Sequence, residues 1–203
     1  MIPKLLLATR NAGKAREYSL LLQRSPFVLT TLDAEEIQED VSESGKTLQE
    51  NARLKAVGYA VDDRFLVMAD DSGLEVDALG GAPGPLSARF GGKGASDRDK
   101  VEMLLSKLRG VPWEERTARF RCLIAIASER KVIGLCEGVC EGIISFEAEG
   151  SRGFGYDPVF YLPELEKTMA QLTLKQKNKV SHRARAAQKA LHVLERLRQE
   201  IDR

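Results

Sequence analysis

The sequence predicts an α/β fold, a central mixed β-sheet flanked by helices, and three observations carry that expectation. The apolar run Phe65-Leu66-Val67-Met68-Ala69 has the length and composition of a buried strand and leads straight into Asp70-Asp71-Ser72-Gly73. Leu5-Leu6-Leu7-Ala8 reads as another short buried strand, followed after a polar turn by a helical pattern over 12–23. Two long strand-like segments, over 119–127 and 131–146, flank a hairpin signal at Glu129-Arg130-Lys131, so part of the sheet is antiparallel and the sheet is mixed.

A length of 203 residues suits one domain over 1–203, and no repeat, low-complexity tract or linker divides it. The formal net charge is +1, which leaves no global basic field to argue for a nucleic-acid partner. A polyanionic small molecule would have to be met by a local cluster of cations. Cys122, Cys136 and Cys140 are odd in number and form no CxxC, which reads as buried thiols in a reducing compartment. The opening run over 1–7 is too short for a signal peptide, and no apolar stretch is long enough to span a membrane. A soluble, cytoplasmic protein is the expectation.

The first strand ends in Thr9-Arg10-Asn11-Ala12-Gly13-Lys14. Helix-start amides with Lys14 and Arg10 suit a phosphate chain, although an Asn cap with solvated cations accounts for the same residues and the Walker spacing is absent. Residues 27–30 read as a strand and 33–40 as an acidic stretch of little information. In Glu43-Ser44-Gly45-Lys46-Thr47-Leu48-Gln49-Glu50-Asn51-Ala52, Thr47 and Glu50 have capping-box spacing, and Leu48, Ala52, Ala56, Tyr59 and Ala60 form a helical stripe. Glu50 and Asn51 can serve the cap alone, whereas Glu43, just upstream, is free to reach a metal.

The acid pair Asp70-Asp71 is expected where the chain leaves the core, at the carboxyl end of its strand, where open α/β sheets bind ligands. Two readings stay open. Asp, Ser and Gly make turns; equally, adjacent carboxylates repel unless a cation relieves them, and magnesium favours one or two carboxylates plus substrate phosphates.

Residues 74–76 alternate like a strand, and Gly80-Gly81-Ala82-Pro83-Gly84-Pro85 with Ser87-Ala88-Arg89 reads as a fixed loop. Ser96 caps a helix running to 108, and Trp113 reads as a packing anchor. Phe120, Cys122, Ile124 and Ile126 share one face; Val132, Leu135, Val139 and Ile143 are the apolar positions of the partner strand. In Gly153-Phe154-Gly155-Tyr156-Asp157-Pro158 the aromatics either stack on a flat base or tuck into the core beneath a turn. Lys175, Lys177 and Lys179 cluster around Asn178, and Ser181-His182-Arg183 caps a final amphipathic helix.

Taken in order, these motifs resemble the inosine triphosphate pyrophosphatase family, also described as non-canonical purine nucleoside triphosphate pyrophosphatases or dITP/XTP diphosphatases. The match covers nearly the whole chain. The resemblance implies two lobes around a long nucleotide-binding cleft, and a magnesium-dependent homodimer that hydrolyses ITP, dITP and XTP to the monophosphate and pyrophosphate. By motif, Asp71 would be the general base and a metal ligand, and Glu43 the second metal ligand. Substrate contacts would fall on Thr9, Arg10, Asn11, Ala12, Gly13, Lys14, Ser72, Phe154, Gly155, Tyr156, Asp157, Lys177, His182 and Arg183. Arg10 departs from the family pattern, as does Met169-Ala170-Gln171-Leu172, where Ala-Glu-Leu is common. Hypoxanthine and xanthine present an acceptor oxygen where adenine presents an amino group, so donors at His182 and Arg183 would disfavour adenine. Two rivals remain: a pyrophosphatase for a modified pyrimidine triphosphate, and a non-catalytic nucleotide-binding or RNA-contacting module. The near-neutral charge and the acid pair count against the second.

Overall fold

The structure, a computed structural model, describes residues 4–92 and 94–203. Part of the opening apolar run lies outside the described residues. The elements are β1 (Lys4–Leu7), α1 (Ala12–Leu21), β2 (Leu29–Thr31), α2 (Leu48–Tyr59), β3 (Phe65–Val76), β4 (Pro83–Gly84), α3 (Asp97–Lys107), β5 (Thr117–Ser128), β6 (Lys131–Ile144), β7 (Phe160–Leu162), β8 (Lys167–Thr168), α4 (Leu174–Val180) and α5 (His182–Ile201). The sheet is open, in the order β2-β1-β3-β5-β6-β7-β8, with β4 paired to β3. It is mixed, as expected: β1 runs parallel to β2 and β3, whereas β6–β7 and β7–β8 are antiparallel. Glu129 and Arg130, both at positive φ, form the two-residue turn between β5 and β6, the primed geometry that suits hairpin twist.

The chain divides into two compact units: residues 1–71, 122–138 and 183–203 make the first, and 72–121 with 139–182 the second. In the first unit the sheet is buried on both faces, and successive strand residues alternate between two cores. Leu5, Leu7, Leu66, Met68, Cys122 and Ile124 join Tyr18 of α1 and Ala187 and Leu194 of α5. Leu6, Ala8, Phe65, Val67, Ala69 and Leu123 join Leu48, Ala52 and Ala56 of α2. In the second unit Leu74, Val76, Phe120 and Ile144 pack against Val101 and Leu104 of α3, with Tyr156 and Phe160 completing the cluster.

Two expectations are corrected. The strand of the acid pair does not end at Ala69: β3 continues through Asp70, Asp71, Ser72 and Gly73 to Val76. Neither a turn nor a strand end, the pair lies mid-strand, and its members point to opposite faces. The continuation needs Gly73, because a Cβ there would collide with the Gly84 carbonyl of β4. Secondly, the inward face of β6 is Cys136, Cys140 and Ile144, while Leu135 is exposed and Val132, Val139 and Ile143 are only partly buried. Large neighbours dictate this: a Cβ at Gly134 would meet Val193 at 2.9 Å, and one at Gly142 the Phe160 ring at 2.7 Å. All three cysteines are buried thiols outside any disulfide, as read from the sequence.

Candidate active site

The alternation that sorts the first unit's core also sorts its charges. Asp70 follows Met68 on the α1/α5 face, where its fully buried carboxylate meets the Lys14 ammonium at 2.8 Å and the Arg183 guanidinium at 3.4 Å. Arg183, itself buried, also pairs with the buried Glu17 of α1. Two anions and two cations thus neutralise each other inside the protein, the condition for burying charge. Burial alone would raise Asp70, but Lys14, Arg183 and Lys55 more than offset it and hold the carboxyl well below its usual range. The Cys122 thiol, 3.6 Å from Asp70, is pushed up to about 12 by burial and by that negative charge.

Lys14 reaches Asp70 because Asn11 caps α1, its side chain accepting the Lys14 N–H at 2.9 Å. Arg10 turns to the acidic stretch instead. Its guanidinium pairs with Asp40 at 2.7 Å and donates to the carbonyls of Ile37 and Glu39. The departure from the family pattern at Arg10 therefore anchors a loop, and residues 33–40 are informative after all.

Asp71 falls on the α2 face. Lys55 of α2, absent from the sequence reading, lies 3.6 Å from Asp71 and 3.5 Å from Glu43, and donates to the Asp70 carbonyl at 2.7 Å. Glu43 is brought there by the start of α2. Asn51 accepts the Gly45 N–H at 2.8 Å, and Glu50 closes a capping box with Thr47 while also accepting the Lys46 N–H. Glu50 and Asn51 do serve the cap, and the cap folds the loop that carries Glu43. This group has one negative charge in excess. Burial raises the Asp71 carboxyl, with Lys55 and Lys14 opposing and Asp70 and Glu43 adding to the rise. Its buried Oδ2 finds no hydrogen-bond partner among the described residues.

The second unit holds the other motifs. Residues 154–157 form a turn closed by the Asp157 N–H on the Phe154 carbonyl, with Gly155 at φ +63°. Asp157 is buried, accepts the Phe154 N–H at 2.9 Å and pairs with Lys177. Gly153 leaves room for that carboxylate, which a Cβ would strike. Of the clustered lysines, only Lys177 is buried, its ammonium 4.8 Å from the centre of the Phe154 ring. Tyr156 lies in the core and donates to the Ser87 carbonyl at 2.8 Å, so of the two aromatics offered for stacking it is Phe154 that stays half-exposed. His182 stacks on Phe120, with centroids 4.7 Å apart. Ser72 sits in β3, partly buried. Gln171 accepts the Thr168 N–H at 2.7 Å in a capping box, a role an uncharged amide fills as well as a carboxylate. A cavity of about 560 Å³ in this unit, lined by Leu105, Val111, Arg116 and Phe146 among others, includes none of the motif residues.

The model of the Ham1 family matches residues 5–193. The chain belongs to the Ham1 family. Among its relatives, the dITP/XTP pyrophosphatase of Desulforamulus reducens is 48% identical over 194 residues, covering 96% of each chain. That of Bacillus subtilis is 43% identical over 190 residues, covering 94% of this chain and 96% of that one. The Ham1 protein of Coxiella burnetii superposes with a TM-score of 0.85 at 36% identity, covering 96% of this chain and 99% of that one. The Ham1 match spans every motif that carried the resemblance read from the sequence. Among the described residues no group of three metal-binding side chains stands ready, and no helix is long and apolar enough to cross a membrane.

Proposed function

We propose that this chain hydrolyses non-canonical purine nucleoside triphosphates, ITP, dITP and XTP, to the monophosphate and pyrophosphate. The observation that carries the reading is Asp71: a buried carboxylate raised from its ordinary value, in a group with net negative charge, beside the Lys55 ammonium. The names of the Ham1 relatives support the same activity.

In this mechanism Asp71 orients the attacking water and accepts its proton, and its raised pKa makes it the stronger base. The Asp70 carboxylate, held ionised, fixes the Lys14 side chain at the start of α1. Lys14 and Lys55 bind phosphate oxygens and stabilise the charge that builds on them. The turn at 154–157, Lys177, His182 and Arg183 select the base.

A magnesium ion fits the acid group. Glu43 and Asp71 offer hard carboxylate oxygens, one of them without a hydrogen-bond partner, and the excess negative charge favours a further cation. Glu43 and Asp71 would hold it; once bound it would offset triphosphate charge and acidify a bound water. The resemblance adds a homodimer, which light scattering would read.

Chromatography of the products, with no other pyrophosphatase added, tests the reading. ITP and XTP should yield IMP or XMP and pyrophosphate in one step, with ATP poor. IDP accumulating with free phosphate would refute the mechanism, and efficient turnover of ATP would refute the base selection.

A further inference from the structure

Four residues, 154–157, make the turn assigned above to base selection, and every polar group of its backbone needs a partner. The Phe154 N–H is taken by Asp157, and the Phe154 carbonyl by the Asp157 N–H. The N–H of Gly155, at the first corner, has no acceptor inside such a turn. It donates to Asp97 Oδ2 at 2.6 Å, across 58 residues of sequence. Asp97 is the first residue of α3, and it does not swing freely. Lys100 holds its other oxygen at 3.0 Å, and Ser96 and Asp99 lock the helix start in a capping box. The peptide between Phe154 and Gly155 is therefore pinned at both ends. Gly155 has open space beside its Cα: a Cβ built there would find no atom within 4 Å. A glycine with room beside its Cα and its N–H fastened lets a flat ligand approach the backbone closely.

We propose that Asp97 is a positioning residue for substrate selection: its carboxylate fixes the Phe154–Gly155 peptide and so sets the surface the base meets. The proposal rests on the function proposed above. Asp97 touches no reacting atom, so its loss acts on binding and selectivity and leaves the acid group intact. An anionic acceptor on a backbone N–H is also stronger than a neutral one, which explains a carboxylate here.

The test compares Asp97→Ala, Asp97→Asn and Asp99→Ala in the full chain. Asp99→Ala breaks the same helix cap but keeps the Asp97 carboxylate that accepts the Gly155 N–H, and so separates loss of the cap from loss of the acceptor. Asp97→Ala should raise KM for ITP about tenfold, the factor expected for loss of one charge-assisted hydrogen bond, with kcat within about threefold and the preference for ITP over ATP reduced. Asp97→Asn, which keeps a neutral acceptor oxygen, should recover part of the loss, and Asp99→Ala should lower Tm with a smaller change in KM than Asp97→Ala. Amide hydrogen exchange at Gly155, which needs no substrate, should accelerate in Asp97→Ala only. Unchanged exchange at Gly155, or equal KM changes in Asp97→Ala and Asp99→Ala, would overturn the role of Asp97. A wild-type protein inactive on ITP, dITP and XTP, with the exchange effect present, would instead overturn the functional reading on which the selectivity role rests.

Discussion

Asp70→Asn and Asp71→Asn should move stability in opposite directions. Asp70 has a depressed pKa in the fold, so its contribution is present above the unfolded value of about 3.9 and lost as pH falls through the folded value. Asp70→Asn leaves Lys14 and Arg183 with one buried anion between them and should cost about 3–5 kcal/mol, read by urea denaturation at pH 7. Asp71 has a raised pKa, so its favourable contribution is confined to pH below the unfolded value and is lost as pH rises through the folded one. At neutral pH its charge is a cost. Without magnesium, Asp71→Asn should raise Tm, by about 2–4 °C for each kcal/mol gained, while ITP turnover falls roughly 100- to 10,000-fold. A folded Asp71→Asn protein with most of its activity, or with a lowered Tm, would contradict this account. The two aspartates are identical neighbours in sequence; only the alternation of β3 gives one a structural duty and the other a chemical one.

At the scale of elements, β6 offers the sharpest test. Gly142→Ala would place a methyl 2.7 Å from the Phe160 ring and should cost about 1–3 kcal/mol, whereas Leu135→Ser, on the exposed side, should stay within about 0.5 kcal/mol. The reverse order in thermal denaturation would restore the aliphatic face expected from sequence. That expectation failed for a physical reason. Apolar residues occupy both faces of β6, and what selects the inner one is the bulk of Phe160 and Val193, neither of which is near in sequence. Arg116 makes a similar point. Its buried guanidinium donates to the carbonyls of Leu108, Ile144 and Ser145, tying the end of α3 to the end of β6. Arg116→Met would strand all three, at about 1–3 kcal/mol for each buried group, and should lower Tm steeply. Nothing in the local sequence singles Arg116 out from its charged neighbours.

For the whole molecule, magnesium binding should appear as stability without any turnover. At a hundredfold excess over its dissociation constant, the ion should add about 2.7 kcal/mol to the wild-type protein. Asp71→Asn and Glu43→Gln should lose that gain in a thermal shift assay without nucleotide; an equal gain in both variants would place the ion elsewhere. The hairpin strands β5 and β6, the helix starts and the order of the motifs were determined by sequence alone, because they rest on interactions within one turn or one strand. Asn11 with Lys14, Thr47 with Glu50 and Ser96 with Asp99 are each three residues apart, the spacing a helix start imposes. The tertiary structure alone decided how the charges are partnered. Glu17 with Arg183, Lys14 with Asp70, Lys55 between Glu43 and Asp71, and Asp97 on Gly155 join residues that no spacing rule relates. Burial makes these ionic contacts strong, and burial is a property of the packed sheet and its helices, not of any segment of the chain.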